Sequence, residues 1–81
     1  MKVEVRFFAS LADRAGTSSE AVDLAPGTDV LGLWRQLVER HPAFSDLSYR
    51  PRAACDLELV DWEHELDGVR EVAFLPPVSG G

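Results

Sequence analysis

Hydrophobic and polar residues alternate twice within the first 24 positions of the chain. From residue 2 to residue 9 the alternation has the period of two that is typical of a strand, and the side expected to face the core consists of Val3, Val5 and Phe7. Phe8 falls on the opposite side. Residues 20–24 alternate again, with Val22 and Leu24 facing inward. The pattern therefore predicts a first hairpin, closed by a long loop around the turn-like AGTSS segment.

A helical period begins at residue 30. Apolar residues recur at the spacing of an amphipathic helix, namely at Val30, Leu33, Trp34, Leu37 and Val38. Thr28 or Asp29 is placed to accept hydrogen bonds from the free N–H groups of the first turn. Pro42 prevents the helix from continuing, because proline lacks an N–H and disfavours helical geometry in the residue before it.

The second half of the chain is predicted to contain three short strands. Residues 43–52 show no period and predict an irregular connection. AACDLELV predicts two short strands with a turn near Asp56, and DWEHELDG is polar and turn-rich. The last strand runs from Glu71 to Leu75. It ends at Pro76 and Pro77, which donate no hydrogen bonds to a sheet.

This order of elements, β-β-α-β-β-β, belongs to the α+β class. We expect a small mixed sheet packed over one main helix, which is the β-grasp or ubiquitin-like arrangement. A chain of 81 residues is long enough for one hydrophobic core and too short for two. The predicted organisation is one domain over residues 1–75 and an extended tail over residues 76–81.

The chain is acidic, with a net charge of −6. Such a surface repels nucleic acids and anionic membranes, and it is complementary to a basic docking surface on another protein. No apolar run approaches the roughly 20 residues that span a bilayer, and the alternating N-terminus lacks the apolar stretch of a signal peptide. We therefore expect a cytoplasmic protein with no nucleic-acid partner and no membrane partner.

Side chains suited to metal binding or catalysis are few. His41 and His64 have no metal-ligand spacing, and the single cysteine, Cys55, is interpreted as a buried small hydrophobe. Four acidic residues lack the spacing of a calcium loop and are interpreted as a solvated face: Asp61, Glu63, Glu65 and Asp67. No glycine-rich phosphate-binding motif is present. We predict no metal, no cofactor bound by this chain, and no active site that works alone.

The final segment, EVAFLPPVSGG, continues from the last strand into two conformationally restricted prolines and ends in residues with small side chains or none. Two prolines favour an extended path, and only the small side chains of Val78 and Ser79 follow before Gly80 and Gly81. Glycine lets another backbone approach closely, and six extended residues reach roughly 20 Å. Although many chain ends fray, this composition favours an arm that delivers the carboxylate of Gly81 into a partner's pocket.

A carboxylate needs activation before it can react, because it is ionised and resonance-stabilised. Joining it to AMP would make its carbonyl carbon attackable, and a sulfur nucleophile that displaces AMP would leave a thiocarboxylate. The sequence supports the geometry of such a carrier, whereas the adenylation and the sulfur do not follow from the residues alone.

Three segments carry a family resemblance that extends over the whole chain: VRFFASLADRAG, PGTDVLGLWRQL and, most specifically, EVAFLPPVSGG. On these the chain resembles the MoaD family, the small sulfur-carrier subunits of molybdopterin synthase. The family usually has Asn where Asp56 stands, and DGDEVAF where this chain has DGVREVAF.

The resemblance implies a function and a set of partners. Gly81 would be adenylated by a separate E1-like enzyme that uses ATP, converted to a thiocarboxylate, and would then donate sulfur to cyclic pyranopterin monophosphate. Two such chains would form a heterotetramer with two large catalytic subunits. The resemblance also implies residues that bind the large subunit, which comprise an apolar surface and the tail: Phe8, Leu59, Leu75, Pro76, Pro77, Val78, Ser79 and Gly80.

Two alternatives stay open at this point. The chain could carry sulfur for a different product, such as the thiamine thiazole, tungstopterin or an amino acid, with the same chemistry at the tail; the double proline favours the molybdopterin branch. The chain could also be a β-grasp interaction module whose tail is incidental, in which case deleting Gly80 and Gly81 would leave its role intact.

Overall fold

The computed structural model describes residues 1–77. Within this range the helices and strands follow one another in the order β1 (Lys2–Phe7), α1 (Ser10–Ala15), β2 (Ser19–Asp23), α2 (Val30–Arg40), a 3-10 helix (Pro42–Phe44), β3 (Arg52–Cys55), β4 (Glu58–Val60) and β5 (Glu71–Leu75). The predicted last strand agrees with β5 at both ends. No helix in this part of the chain has the length and apolar character required to cross a membrane.

The strands form one five-stranded mixed sheet in the order β2-β1-β5-β3-β4. Strand β1 pairs with β5 in parallel, with Val5 opposite Val72 and Phe7 opposite Phe74. The other three pairings are antiparallel. The sheet thus joins the first and last strands of the chain at its centre, and with one main helix packed on it the fold is the predicted β-grasp.

One face of the sheet, here called the closed face, packs against α2 and forms the core. Alternate residues of the strands contribute Val3, Val5, Phe7, Val22, Ala53, Cys55, Val72 and Phe74. Helix α2 contributes Val30, Leu33 and Leu37 from the predicted apolar stripe. The inward positions predicted for β1 and β2, including Leu24 just after β2, are all buried.

Helix α2 begins and ends as the sequence predicts. Of the two candidate caps, Asp29 is the one used: its Oδ1 accepts a hydrogen bond from the Gly32 N–H at 2.8 Å. At the other end the His41 N–H donates to the Leu37 carbonyl, and Pro42 starts the 3-10 helix. Trp34 is half-buried and stacks against Phe44, with ring centroids 5.0 Å apart.

The prediction of a plain loop between the first two strands was wrong, because a short helix, α1, occupies it. The chain enters α1 through Ala9 at a φ of 53° and leaves through Gly16 at a φ of 76°, whose N–H donates to the Ala12 carbonyl. Leu11 is the buried residue of α1. Two further core residues come from segments predicted to be irregular or polar, Phe44 and Leu66.

Candidate docking face and tail exit

The face of the sheet opposite α2, here called the open face, carries apolar side chains that are exposed or half-buried. In the strand register Ala73 lies opposite Ala54, and Ala54 lies opposite Leu59, so these three form a row that runs to the edge at β4. Leu75 belongs to the next row, and the Phe8 N–H continues the β1–β5 ladder by donating to the Phe74 carbonyl at 3.2 Å. We call these five residues the docking patch: Phe8, Ala54, Leu59, Ala73 and Leu75.

The sequence-predicted partner residues therefore fall within one region of the structure. Leu59 is 59% exposed and Phe8 is 42% exposed, which is unusual for large apolar side chains in so small a domain. Leu75 is half-buried between the two neighbouring strands. The structure brings the three residues to the open face, and alternation along the strands is the physical reason.

The tail leaves the sheet beside this patch. Strand β5 is held on both sides, by β1 and by β3, and its last residue, Leu75, lies opposite Arg52. Pro76 is half-buried and Pro77 is exposed. The remaining predicted site residues, Val78, Ser79, Gly80 and Gly81, lie outside the described residues.

Charged side chains border the docking patch. Arg6 and Glu71 form an ion pair across β1 and β5, with Nε and Oε2 3.1 Å apart. Arg52 is exposed next to Leu75, while the acidic residues Asp61 and Glu63 lie in the loop after β4, fully outside the sheet. The patch is thus an apolar strip bordered by Arg52 and by the ion pair of Arg6 and Glu71.

Asp56 fixes the hairpin that carries Leu59, through contacts that the sequence did not predict. Asp56 and Leu57 form the turn between β3 and β4, at φ values of 49° and 76°. The Asp56 Oδ1 accepts hydrogen bonds from the Arg70 N–H at 3.1 Å and the Glu71 N–H at 3.0 Å. The signal available in the sequence was an aspartate in a tight turn, a position that Asp tolerates well. Asp56 therefore fastens the β3–β4 hairpin to the start of β5, the strand that leads to the tail.

A second carboxylate lies on the closed face, near the end of α2. Glu20 lies opposite Val5 in the β1–β2 ladder, and its oxygens contact the His41 Nε2 at 2.5 Å and the Arg40 Nη1 at 2.9 Å. Burial disfavours ionisation of Glu20, but the hydrogen bonds and positive charge supplied by His41 and Arg40 outweigh it, so the pKa of Glu20 lies below its ordinary value. This cluster ties the edge strand β2 to α2.

The remaining candidate residues do not form a reactive site. Cys55 is buried, and burial together with the neighbouring charge of Asp56 raises the pKa of its thiol to about 11; the reactive thiolate is therefore scarce at neutral pH. His64 is exposed. Trp62 is half-buried and donates from Nε1 to the Pro51 carbonyl at 3.0 Å. Over residues 1–77, His, Cys, Asp and Glu side chains do not come together in a group able to hold a metal ion.

Comparisons with known proteins agree with this geometry. The sequence profile of the ThiS family matches residues 5–81. The human molybdopterin synthase sulfur carrier subunit is 32% identical to this chain over 83 residues, which cover 99% of this chain and 94% of that protein. These matches confirm the resemblance predicted from the sequence.

Solved structures show the same fold. The crystal structure of SAMP1 from Haloferax volcanii aligns over 100% of both chains, with a TM-score of 0.85 and 28% identity. A second match is a chain in the protein–protein complex of subunits 1 and 2 of the molybdopterin-converting factor from Helicobacter pylori. The alignment covers 100% of this protein and 100% of that chain, with a TM-score of 0.66 and 26% identity. In that relative, a small subunit of this fold binds a second subunit.

Proposed function

Because the chain belongs to the ThiS family, we propose that it is the sulfur carrier subunit of a molybdopterin synthase and that Gly81 carries the sulfur. The observation that carries this proposal is the extent of the match: it includes both the β-grasp domain and the tail, residues 5–81. The alignment with the human sulfur carrier subunit is equally complete. A relative that shared the domain alone would support the fold and not the chemistry of the tail.

The proposed reaction takes place at the terminal carboxylate. A carboxylate oxygen of Gly81 attacks the α-phosphorus of ATP on an E1-like enzyme, and pyrophosphate leaves. A sulfur nucleophile at the oxidation level of sulfide then attacks the carbonyl carbon, so that a C–S bond forms and the C–O bond to AMP breaks. In the large subunit the thiocarboxylate sulfur attacks a carbon of cyclic pyranopterin monophosphate and displaces an oxygen substituent there. Water then cleaves the resulting thioester, so that the C–S bond to Gly81 breaks and its carboxylate is restored. This chain supplies the carrier, and the catalytic groups belong to its partners.

The docking patch supports this proposal by providing a place for the large subunit. Phe8 and Leu59 expose apolar area that gains stability only when another surface covers it. Leu75 belongs to the same patch and is followed directly by Pro76, so a partner bound to the patch would also receive the tail. The proposed binding residues are therefore the patch together with the segment from Pro76 to Gly80, in a heterotetramer with two large subunits.

Mass spectrometry tests the carrier chemistry. The purified chain is incubated with its activating enzyme, ATP and a sulfur donor, and we expect the mass change of one oxygen-to-sulfur exchange at Gly81. A matched variant with one alanine added after Gly81 should fold identically and gain no sulfur, because the reactive carboxyl is displaced by a peptide unit. An unchanged mass in the native chain, with an activating enzyme proven active on another carrier, would contradict the proposal.

A second candidate is a sulfur carrier for a different product, since the chemistry at the tail would be the same. The family match by itself is compatible with it, whereas the human relative favours the molybdopterin synthase. The two differ in the acceptor: the thiocarboxylate form should yield molybdopterin from cyclic pyranopterin monophosphate when the large subunit is added. A simple interaction module, by contrast, would keep its cellular role after deletion of Gly80 and Gly81.

A further inference from the structure

The tip of the β3–β4 hairpin displays a leucine in an unfavourable setting. Leu57 is 90% exposed, far more than any other large hydrophobic residue that the structure describes. Its φ is 76°, in the left-handed region that side chains other than Gly, Asn and Asp rarely adopt. The fold therefore gains almost nothing from this side chain and bears the strain of its backbone.

The geometry of the turn explains why position 57 has a positive φ, but it does not explain why a leucine occupies that position. Two-residue hairpin turns with positive φ at both positions favour Asn-Gly or Asp-Gly, and here Leu57 stands where glycine is preferred. Asp56 holds the turn in place through its hydrogen bonds to the backbone of Arg70 and Glu71. A glycine or asparagine at position 57 would be accommodated at least as well, so the stability of the fold gives no reason for a leucine here.

The position of Leu57 indicates a role in recognition. It lies at the tip of the β3–β4 hairpin, two residues before Leu59, and Leu59 forms the β4 end of the docking patch. Because Asp56 fastens the hairpin to β5, the tip is fixed relative to Leu75 and the tail. A surface that covers the patch as far as Leu59 would therefore reach the leucine at the tip.

We propose that Leu57 is an anchor residue that inserts into an apolar pocket of the large subunit and extends the docking patch by the hairpin tip. This inference rests on the proposed function. A second copy of the chain is a poorer occupant, because two chains that each carry a net charge of −6 repel one another. If the large subunit covers the docking patch, Leu57 adds one apolar side chain at the edge of that contact, and burial of such a side chain in an apolar pocket is typical of a binding hot spot.

Two substitutions test the proposal in the full chain. Leu57→Asn removes the apolar side chain and suits the positive φ, whereas Leu57→Met keeps an apolar side chain. Titration with the purified large subunit should show a Kd about tenfold weaker for Leu57→Asn and within about threefold of the native value for Leu57→Met. Urea unfolding of the free chain should show that Leu57→Asn is at least as stable as the native protein.

The outcomes separate this inference from the function on which it rests. An unchanged Kd for Leu57→Asn, with native binding intact, would overturn the role of Leu57 alone. A native dimer in sedimentation velocity that Leu57→Asn abolishes would overturn it too, because the occupant would then be a second copy. A native chain that does not bind the large subunit would contradict the proposed function, and this inference would fail with it.

Discussion

Both faces of the sheet carry apolar side chains, which are buried on the closed face and partly exposed on the open face. Phe74 is fully buried on the closed face, whereas Phe8, whose N–H donates to the Phe74 carbonyl, is 42% exposed on the open face. On the closed face, α2 covers the apolar residues, and the fold gains free energy from their burial. On the open face, no described element of the chain covers them.

This difference indicates that one side of each strand stabilises the fold and the other side is available for partner binding. Because side chains alternate along a strand, β5 can contribute Val72 and Phe74 to the core and Ala73 and Leu75 to the docking patch. Substitutions on the closed face should therefore act on unfolding, and those on the open face should act on partner binding. Each prediction below tests this separation, from the largest expected effect to the smallest.

The largest effect is expected from Phe74→Ala. The side chain is fully buried at the centre of the sheet and packs against Trp34, with ring centroids 5.1 Å apart. Its loss should lower the free energy of unfolding by about 3–5 kcal/mol, since both burial and packing are lost. Urea denaturation followed by tryptophan fluorescence measures it. A loss below about 1 kcal/mol would show that the closed face does not carry the stability of the fold.

Phe8→Ala is the counterpart on the open face. We expect the free energy of unfolding to change by less than about 1 kcal/mol, because the ring is already partly hydrated. Binding to the large subunit should weaken by about 2 kcal/mol, or roughly 30-fold in Kd, if Phe8 is an anchor. Isothermal titration measures this, with Lys2→Ala, at the end of β1 remote from Phe8, as the control. Equal binding by the two variants would remove Phe8 from the interface.

The sequence predicts well what local patterns determine. The stripe of α2, a cap at Thr28 or Asp29 and an end before Pro42 were all predicted, because cap and period are local signals; the structure selects Asp29. The bounds of β5 were predicted as well, because Pro76 and Pro77 follow the strand directly and donate no hydrogen bonds to a sheet. The partner residues Phe8, Leu59 and Leu75 came from family resemblance, and the fold explains only why they share a face.

The features that sequence reasoning missed depend on contacts between distant residues. Helix α1 has six residues, no side-chain cap and a single buried residue, Leu11, so its sequence carries almost no helical signal. Leu66 is fully buried within a polar stretch, and its N–H donates to the Thr28 carbonyl just before α2, a contact between residues 38 positions apart. The contacts of Asp56 with Arg70 and Glu71 likewise become visible only once β5 lies beside β3.

Substitution of Asp56 should have an intermediate effect on stability, because Asp56 holds the hairpin that carries Leu59 against the start of β5. Asp56→Ala removes both hydrogen bonds to the start of β5 and leaves alanine at a φ of 49°. We expect a loss of about 1–2 kcal/mol in the free energy of unfolding. Hydrogen exchange of the Arg70 and Glu71 amides should accelerate in this variant.

Asp56→Asn is the matched control, since its side-chain carbonyl can accept the same hydrogen bonds and asparagine tolerates positive φ. It should keep most of the stability and most of the protection of the two amides. Equal protection in the alanine variant would show that the carboxylate does not fasten the hairpin.

The smallest effect concerns the cluster of Glu20, His41 and Arg40 on the closed face. The pKa of Glu20 lies below its ordinary value of 4.5, because the contacts with His41 and Arg40 outweigh its burial. A carboxyl group with a depressed pKa in the folded state stabilises the fold above its unfolded pKa, and this contribution is lost as the pH falls through the folded pKa. Glu20→Gln should therefore lower the free energy of unfolding by about 1 kcal/mol or less at neutral pH.

The difference between Glu20→Gln and the native chain, measured by urea unfolding at a series of pH values, should shrink as the pH falls below 4.5 and through the lower folded pKa of Glu20. Glu4→Gln, an exposed position on the open face of β1, is the control of equal charge and should change stability by less than about 0.5 kcal/mol at neutral pH. A pH-independent deficit in Glu20→Gln would mean that side-chain packing, and not the charge, is what the closed face requires at this position.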